Sequence, residues 1–207
     1  MNTSSRTLQR YGILSAVLVS LLISCSQEEA VFTPAPYHVN VDLTTAPITV
    51  DRIGLSLALP LGPKAMDEAS LDVFRQMLGS TAMSQRFYPV FPLNVLVDSA
   101  SGMMIHISAV DERQAPLADV AAKYEDFILP RLKGTGLGKN TYSVNDVRFY
   151  LYLVHSTQIV NFKLLGETAG GERFLIEYII PAPIYPDWEP AVTASMASMV
   201  SVSSSGQ

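Results

Sequence analysis

VRFYLYLVHSTQIVNFKLLGETAGGERFLIEYII, Val147 to Ile180, holds three apolar runs separated by turn chemistry, and its reading decides the fold. Each run is short and rich in aromatic and β-branched residues, which predicts strands over about Val147–Val154, Thr157–Leu165 and Arg173–Ile180. The short link His155-Ser156 and the turn signal Ala169-Gly170-Gly171 join them, so successive strands run antiparallel. In the first run Phe149, Leu151 and Leu153 fall on one face, and Tyr150, Tyr152 and Val154 on the other. A strand that is apolar on both sides belongs to a sheet covered on both sides.

The flanking segments supply the covers. Leu117, Val120, Ala121, Tyr124, Phe127, Ile128 and Leu132 form one helical stripe, with Pro116 suited to its first turn and Gly134 to its end. Leu71, Phe74 and Leu78, with Val73 and Met77 alongside, predict an earlier amphipathic helix over about Asp67–Gly79. A third helix is expected from Asp187 as N-cap, through Trp188, Val192, Met196, Met199 and Val200 on one stripe. Leu93–Asp98 and Met103–Val110 read as a hairpin around Asp98-Ser99-Ala100-Ser101-Gly102. Ile53–Leu59 reads as a strand closed by Pro60, Gly62 and Pro63, and Thr141–Val144 as a short strand. The expected fold class is therefore α+β, a mostly antiparallel sheet covered by helices.

Two local segments carry a family resemblance. Leu57-Ala58-Leu59-Pro60-Leu61-Gly62 stands before the first helix. Ile176-Glu177-Tyr178-Ile179-Ile180-Pro181 leads through Tyr185 and Trp188 into a Ser/Met-rich helix. Together with the order of elements they resemble the PsbP-like α/β/α sandwich, a group that includes bacterial lipoproteins of the DcrB and LpqN kind. The likeness covers about Ile48 to Val202. What it implies is a non-enzymatic accessory or binding module, since no catalytic motif belongs to that group.

The N-terminus speaks to location. Arg6 and Arg10 precede an apolar stretch from Tyr11 to Ile23, which is the layout of an export signal and too short to span a bilayer. Leu22-Ile23-Ser24-Cys25 resembles the bacterial lipobox at all four positions, and Cys25 is the only cysteine in the chain. The resemblance implies a signal peptide over residues 1–24 and acylation of Cys25; the bland alternative is a free buried cysteine after an ordinary signal. Ser26 follows the cysteine, and under the family rule for lipoproteins the absence of Asp there implies the outer membrane. Residues 25–47 then read as the lipidated N-terminus and a tether, with Tyr37–Leu43 as a possible edge strand. Residues 48–202 form the domain and 203–207 a polar tail.

Charge removes other classes of partner. Two of the 14 basic residues precede Cys25 and all 19 acidic ones follow it, leaving the chain from Cys25 onward at −7. An acidic domain with no Lys/Arg cluster lacks the footprint for nucleic acid or anionic headgroups. Membrane attachment is expected through the acyl chains alone.

No constellation of catalytic residues is evident, and neither catalytic residues nor a cofactor nor a metal is expected. Of the three histidines, His38 lies in the tether, His106 in a strand and His155 at a strand end. His106, His155 and a carboxylate such as Asp98 or Glu177 could converge on zinc, but a satisfied structural histidine is the simpler account of each. Asp67-Glu68 and Asp111-Glu112 lie near element ends, where capping or solvation explains them. Gly134-Thr135-Gly136-Leu137-Gly138-Lys139 mimics a phosphate loop, but it follows a helix C-terminus, where the dipole disfavours an anion. It reads as a helix stop and a turn.

Two proline-rich connections place aromatics where a partner could meet them: Phe87, Tyr88 and Phe91 in one, Tyr185 and Trp188 in the other. Exposed, they would form an apolar contact patch; buried, they would plug the sheet edges. The expected function is a lipid-anchored, non-catalytic accessory of the cell envelope, acting through contacts with an envelope protein. The alternative is a small apolar or envelope-derived ligand, held between sheet and helix in a cavity of roughly 300 Å³ or more. That cavity would be lined by Met103, Met104, Met196 and Met199, with His106 or His155 at its edge.

Overall fold

The computed structural model describes residues 30–79, 88–132 and 135–202. The expected signal peptide, Cys25, Phe87, Gly134 and the tail 203–207 lie outside the described residues. The described residues from Val31 onward form one compact unit. Its chain order begins with β1 (Thr33–Pro34), β2 (Ile48–Val50), β3 (Leu55–Leu57), β4 (Lys64–Ala65) and α1 (Glu68–Gly79). It continues through β5 (Phe91–Val97), β6 (Met104–Ala109), α2 (Leu117–Ile128), β7 (Gly136–Val144), β8 (Val147–His155), β9 (Ile159–Glu167) and β10 (Arg173–Pro181). It closes with α3 (Tyr185–Ala197) and β11 (Val200–Ser201).

The three strands quoted above are the centre of the molecule. The main sheet has the order β1-β7-β8-β9-β10-β6-β5-β4, antiparallel throughout except for β1 alongside β7. This is the expected α+β class, with helices on a mostly antiparallel sheet. Asn145 and Asp146 hold positive φ at the two-residue β7–β8 turn, a conformation that short polar side chains tolerate.

One face of the sheet carries Phe149, Leu151, Phe162, Leu164, Phe174, Ile176, Ile105 and Ile107, packed with Val192, Met196 and Met199. A second small sheet, β11-β3-β2, completes that layer with Leu55 and Leu57. The opposite face meets α1 and α2. Val120, Ala121, Tyr124 and Ile128 of α2 are buried, as the helical stripe requires. Asp67 caps α1, its carboxylate accepting from the Ser70 backbone N–H at 2.9 Å.

Four expectations need correction. The Gly136-Leu137-Gly138-Lys139 stretch is the first half of β7, paired residue by residue with β8, not a turn. The helix α3 starts at Tyr185 after a 3-10 turn, without a side-chain cap, so Asp187 lies inside it. The segment expected to stand off as a tether instead joins the domain at Thr33 and Pro34, beside Tyr142 and Ser143. Tyr37–Leu43 forms no strand; Tyr37 instead packs edge-on against Tyr142 at 5.6 Å.

Candidate functional site

The face of the sheet under α1 and α2 is not uniformly apolar. His106 of β6 lies opposite Glu177 of β10, and Glu177 lies opposite Lys163 of β9. Lys163 in turn faces Tyr152 of β8. One row of polar groups therefore crosses four adjacent strands. Cross-strand neighbours on one face lie about 5 Å apart at Cβ, so the register alone makes these groups interact.

Lys163 and Glu177 form an ion pair. Their side chains are 16% and 19% exposed and that of His106 is 18%, which makes this a floor rather than a surface. Burial pushes the Glu177 carboxyl upward, but the Lys163 charge and hydrogen bond outweigh it and hold the group below the ordinary carboxylate range. Burial lowers His106, Glu177 opposes and Lys163 reinforces, so the imidazole is neutral near pH 7. His106 Nδ1 is 3.9 Å from Glu177, beyond hydrogen-bond reach. Further along the row, Tyr152 donates to Glu125 of α2 at 2.9 Å, and Lys139 pairs with the same carboxylate at 2.5 Å. Desolvation raises the Tyr152 hydroxyl far above its usual range, so it stays a donor.

Above this floor opens a cleft of about 250 Å³ between α1, α2 and the sheet. Phe74 and Leu78 of α1 form one wall, and Tyr124, Phe127 and Ile128 of α2 form the other. Tyr88 and Val90 close one end, and Leu175 and Ile179 complete the floor. The walls meet edge-on: Tyr88 stands at 88° to Tyr124 with centroids 5.0 Å apart, and at 75° to Phe127 at 5.6 Å. Phe74 meets the His106 ring at 5.6 Å and 62°. A hollow of about 420 Å³, lined by Arg75, Pro89, Phe91 and Asp111, shares Leu78, Tyr88, Val90 and Pro92 with the cleft. A hollow of about 720 Å³ beside the β7–β8 turn has three charged lining residues, Asp146, Arg148 and Glu167, of which Arg148 and Glu167 pair with one another.

The expected contact residues separate. Tyr88 is 8% exposed. It is an inner wall of the cleft, not surface, because its ring packs on Tyr124 and Phe127 and its hydroxyl donates to Glu112 at 3.1 Å. Burial, with the Glu112 charge, pushes that hydroxyl up to about 12. Phe91 is 38% exposed and lies beneath two guanidiniums, Arg52 at 4.0 Å and Arg75 at 5.1 Å from the ring centre. Tyr185 and Trp188 pack on the core on the α3 side of the sheet, so the two connections do not form one patch.

The methionine-lined cavity is likewise corrected. Met103, Met196 and Met199 are fully buried in the core against α3, on the face opposite the cleft. His106 does line the cleft, whereas His155 packs edge-on against Tyr185 at 5.3 Å. The expected convergence thus brings His106 to Glu177 and leaves His155 elsewhere. Asp98 accepts from Ser101 and from the Ala100 N–H inside its own turn. Among the described residues no three His, Cys, Asp or Glu side chains gather as a metal site requires, and no helix is long and apolar enough to cross a membrane.

No protein-family model matches the chain, and no curated protein matches it. Among solved structures it is similar to the cyanobacterial PsbP of Synechocystis, at 11% identity and a TM-score of 0.42, covering 86% of this chain and 98% of that one. It is also similar to a Pseudomonas aeruginosa protein of unknown function, at 17% identity and a TM-score of 0.38, covering 53% of this chain and 78% of that one.

Proposed function

We propose that the chain is a non-catalytic, lipid-anchored accessory protein of the cell envelope, exported and acylated at Cys25, that engages another envelope protein through the cleft between α1, α2 and the sheet. The outer membrane is its proposed location. The observation that carries the docking reading is the size and shape of the cleft. At about 250 Å³ it is the narrow, aromatic-walled part of a depression that continues into the hollow of about 420 Å³. It suits one anchoring side chain of a partner, the kind of buried contact that dominates protein interfaces. The adjoining hollow around Phe91 leaves room for the chain flanking that anchor.

Two observations weigh against chemistry here. His106 makes no hydrogen bond with Glu177, and a general base needs a third group to orient it. Lys163 and Glu177 are occupied with each other.

The test is photocrosslinking in cells from a probe at Leu78, on the cleft, compared with a probe at the exposed Val200. A discrete protein adduct is expected from position 78 and not from position 200, and it should disappear when Leu175→Trp fills the cleft. Equal adducts at both positions, or an adduct insensitive to Leu175→Trp, would show that the cleft is not the contact.

A further inference from the structure

We infer that α1 is a flap over the cleft, hinged where it leaves β4 and held shut by a latch, the Arg75 side chain on the carbonyl of Pro92. This rests on the docking reading above for the purpose of the cleft, and adds how the cleft is opened to a partner. Three features carry it.

The first is how lightly the helix is seated. α1 and α2 are each 12 residues long and lie on the same face of the sheet. In α2, Leu117, Val120, Ala121, Tyr124 and Ile128 are buried, whereas in α1 Leu71 alone is. Phe74 and Leu78 line the cleft and are only half-buried, so the stripe that should hold α1 down spans a hollow instead of packing on the sheet. Few buried apolar contacts mark an element that opens ahead of the rest of the fold.

The second is the pair of unequal attachments to β5. β4 covers β5 only at Leu96 and Val97. Just ahead of the helix, the Met66 backbone N–H donates to the Val95 carbonyl at 2.8 Å, a bond that survives if α1 lifts. Further along, Arg75 Nε–H donates to the Pro92 carbonyl at 2.9 Å, beside the register shift between Pro92 and Asn94 that interrupts the ladder with β6. The same guanidinium lies over the Phe91 ring, 5.1 Å from its centre. One end of the helix is thus fixed through backbone, the other through a side chain.

The third is what travels with the flap. Glu68 and Asp72, both of α1, accept from Arg75 at 2.6 and 2.7 Å. The guanidinium stays paired when α1 lifts, so release costs the Pro92 bond and the ring contact rather than an uncompensated charge. Leu78 lines both the cleft and the adjoining hollow, so its movement joins the two and uncovers His106 and Leu175 on the floor.

Thiol labelling tests this. Cys25→Ser removes the one native thiol of the chain, and Leu175→Cys in that background places a thiol on the cleft floor, where the native side chain is 4% exposed. Arg75→Met keeps the stem and removes the donors; it is expected to speed reaction with a maleimide dye about tenfold, the loss of one hydrogen bond from a charged group. Val192→Ala, in α3 on the other side of the sheet, weakens the whole fold and should leave the rate unchanged. Amide hydrogen exchange should divide the same way, with α1 exchanging faster than β9 and with little dependence on urea. A rate indifferent to Arg75→Met, a rate raised by Val192→Ala, or α1 amides that exchange only with β9 would each overturn the inference. If the crosslink at position 78 forms but labelling ignores Arg75→Met, docking stands on a rigid cleft and the flap falls. If labelling behaves as expected and no adduct forms, the flap stands and the docking reading falls.

Discussion

At the scale of single residues, the glycine in β9 sets the tightest constraint. A Cβ on Gly166 would lie 2.4 Å from Phe174 Cζ, 2.7 Å from the Arg148 carbonyl oxygen and 2.8 Å from Phe149 Cβ. A side chain can turn aside from such a contact, but a backbone carbonyl in the β8–β9 ladder cannot. Gly166→Ala is therefore expected to destabilise the domain by about 3 kcal/mol, at the upper end of overpacking costs, measured by urea unfolding. His106 provides a different constraint. Burial first, and Lys163 with it, lower its proton affinity below the ordinary value of 6.5 despite the opposing pull of Glu177. The unfolded chain then binds a proton more tightly than the folded one, so stability falls as pH drops below about 6.5 and stops falling once the folded imidazole is also protonated. Unfolding free energies measured from pH 8 to 5 should show this decline, and His106→Gln should remove its contribution. A variant with the wild-type pH slope would show that the ring is not buried as described.

At the scale of elements, the central strands and α2 were legible because burial imposes a pattern on side chains. β8, β9 and β10 are apolar on successive residues and are punctuated by turns, and Leu117–Ile128 carries an unbroken stripe. The first half of β7 was not legible, because Gly136 to Asn140 are exposed and include two glycines. Only pairing with β8 makes them a strand. Of the small β11-β3-β2 sheet only β3 was legible, inside the run Ile53–Leu59; β2 and β11 are three and two residues long, and β11 pairs with a strand far away in sequence. The candidate site was half visible. His106 stood out as a histidine in a strand and Glu177 as one of two carboxylates that could reach it, while Lys163 read as an isolated charge in a run that is apolar on successive residues. What places them under α2 is the register that sets Glu177 against His106 on one side and Lys163 on the other. Pattern along a chain does not contain that information. A charge set in a strand that is apolar on both faces was the one available signal.

At the scale of the whole molecule, the anchor and the domain make separable demands. From Cys25 onward the chain carries −7, with no basic cluster, so an anionic leaflet repels it rather than holding it. If acyl chains on Cys25 supply the attachment, its strength comes from buried CH₂ groups at about 0.8 kcal/mol each, and two or three chains suffice for stable anchoring. Salt does not weaken that term. The wild type is therefore expected in the membrane pellet before and after a high-salt wash, and Cys25→Ser in the soluble fraction. The domain itself should be indifferent to the change. Its core is built from β2, β3, β5, β6, β8, β9, β10 and α3, and the compact unit starts at Val31, so the soluble variant should unfold with the wild-type urea midpoint. A Cys25→Ser protein that stays in the pellet after the wash would refute the lipid attachment. One that leaves the membrane but unfolds earlier would show that residues ahead of Val31 contribute to the fold. The same variant bears on docking: the cleft is lined by residues from Phe74 onward and should be unchanged in it, whereas the crosslink at position 78 should weaken, because a protein freed from the membrane meets a membrane-bound partner less often.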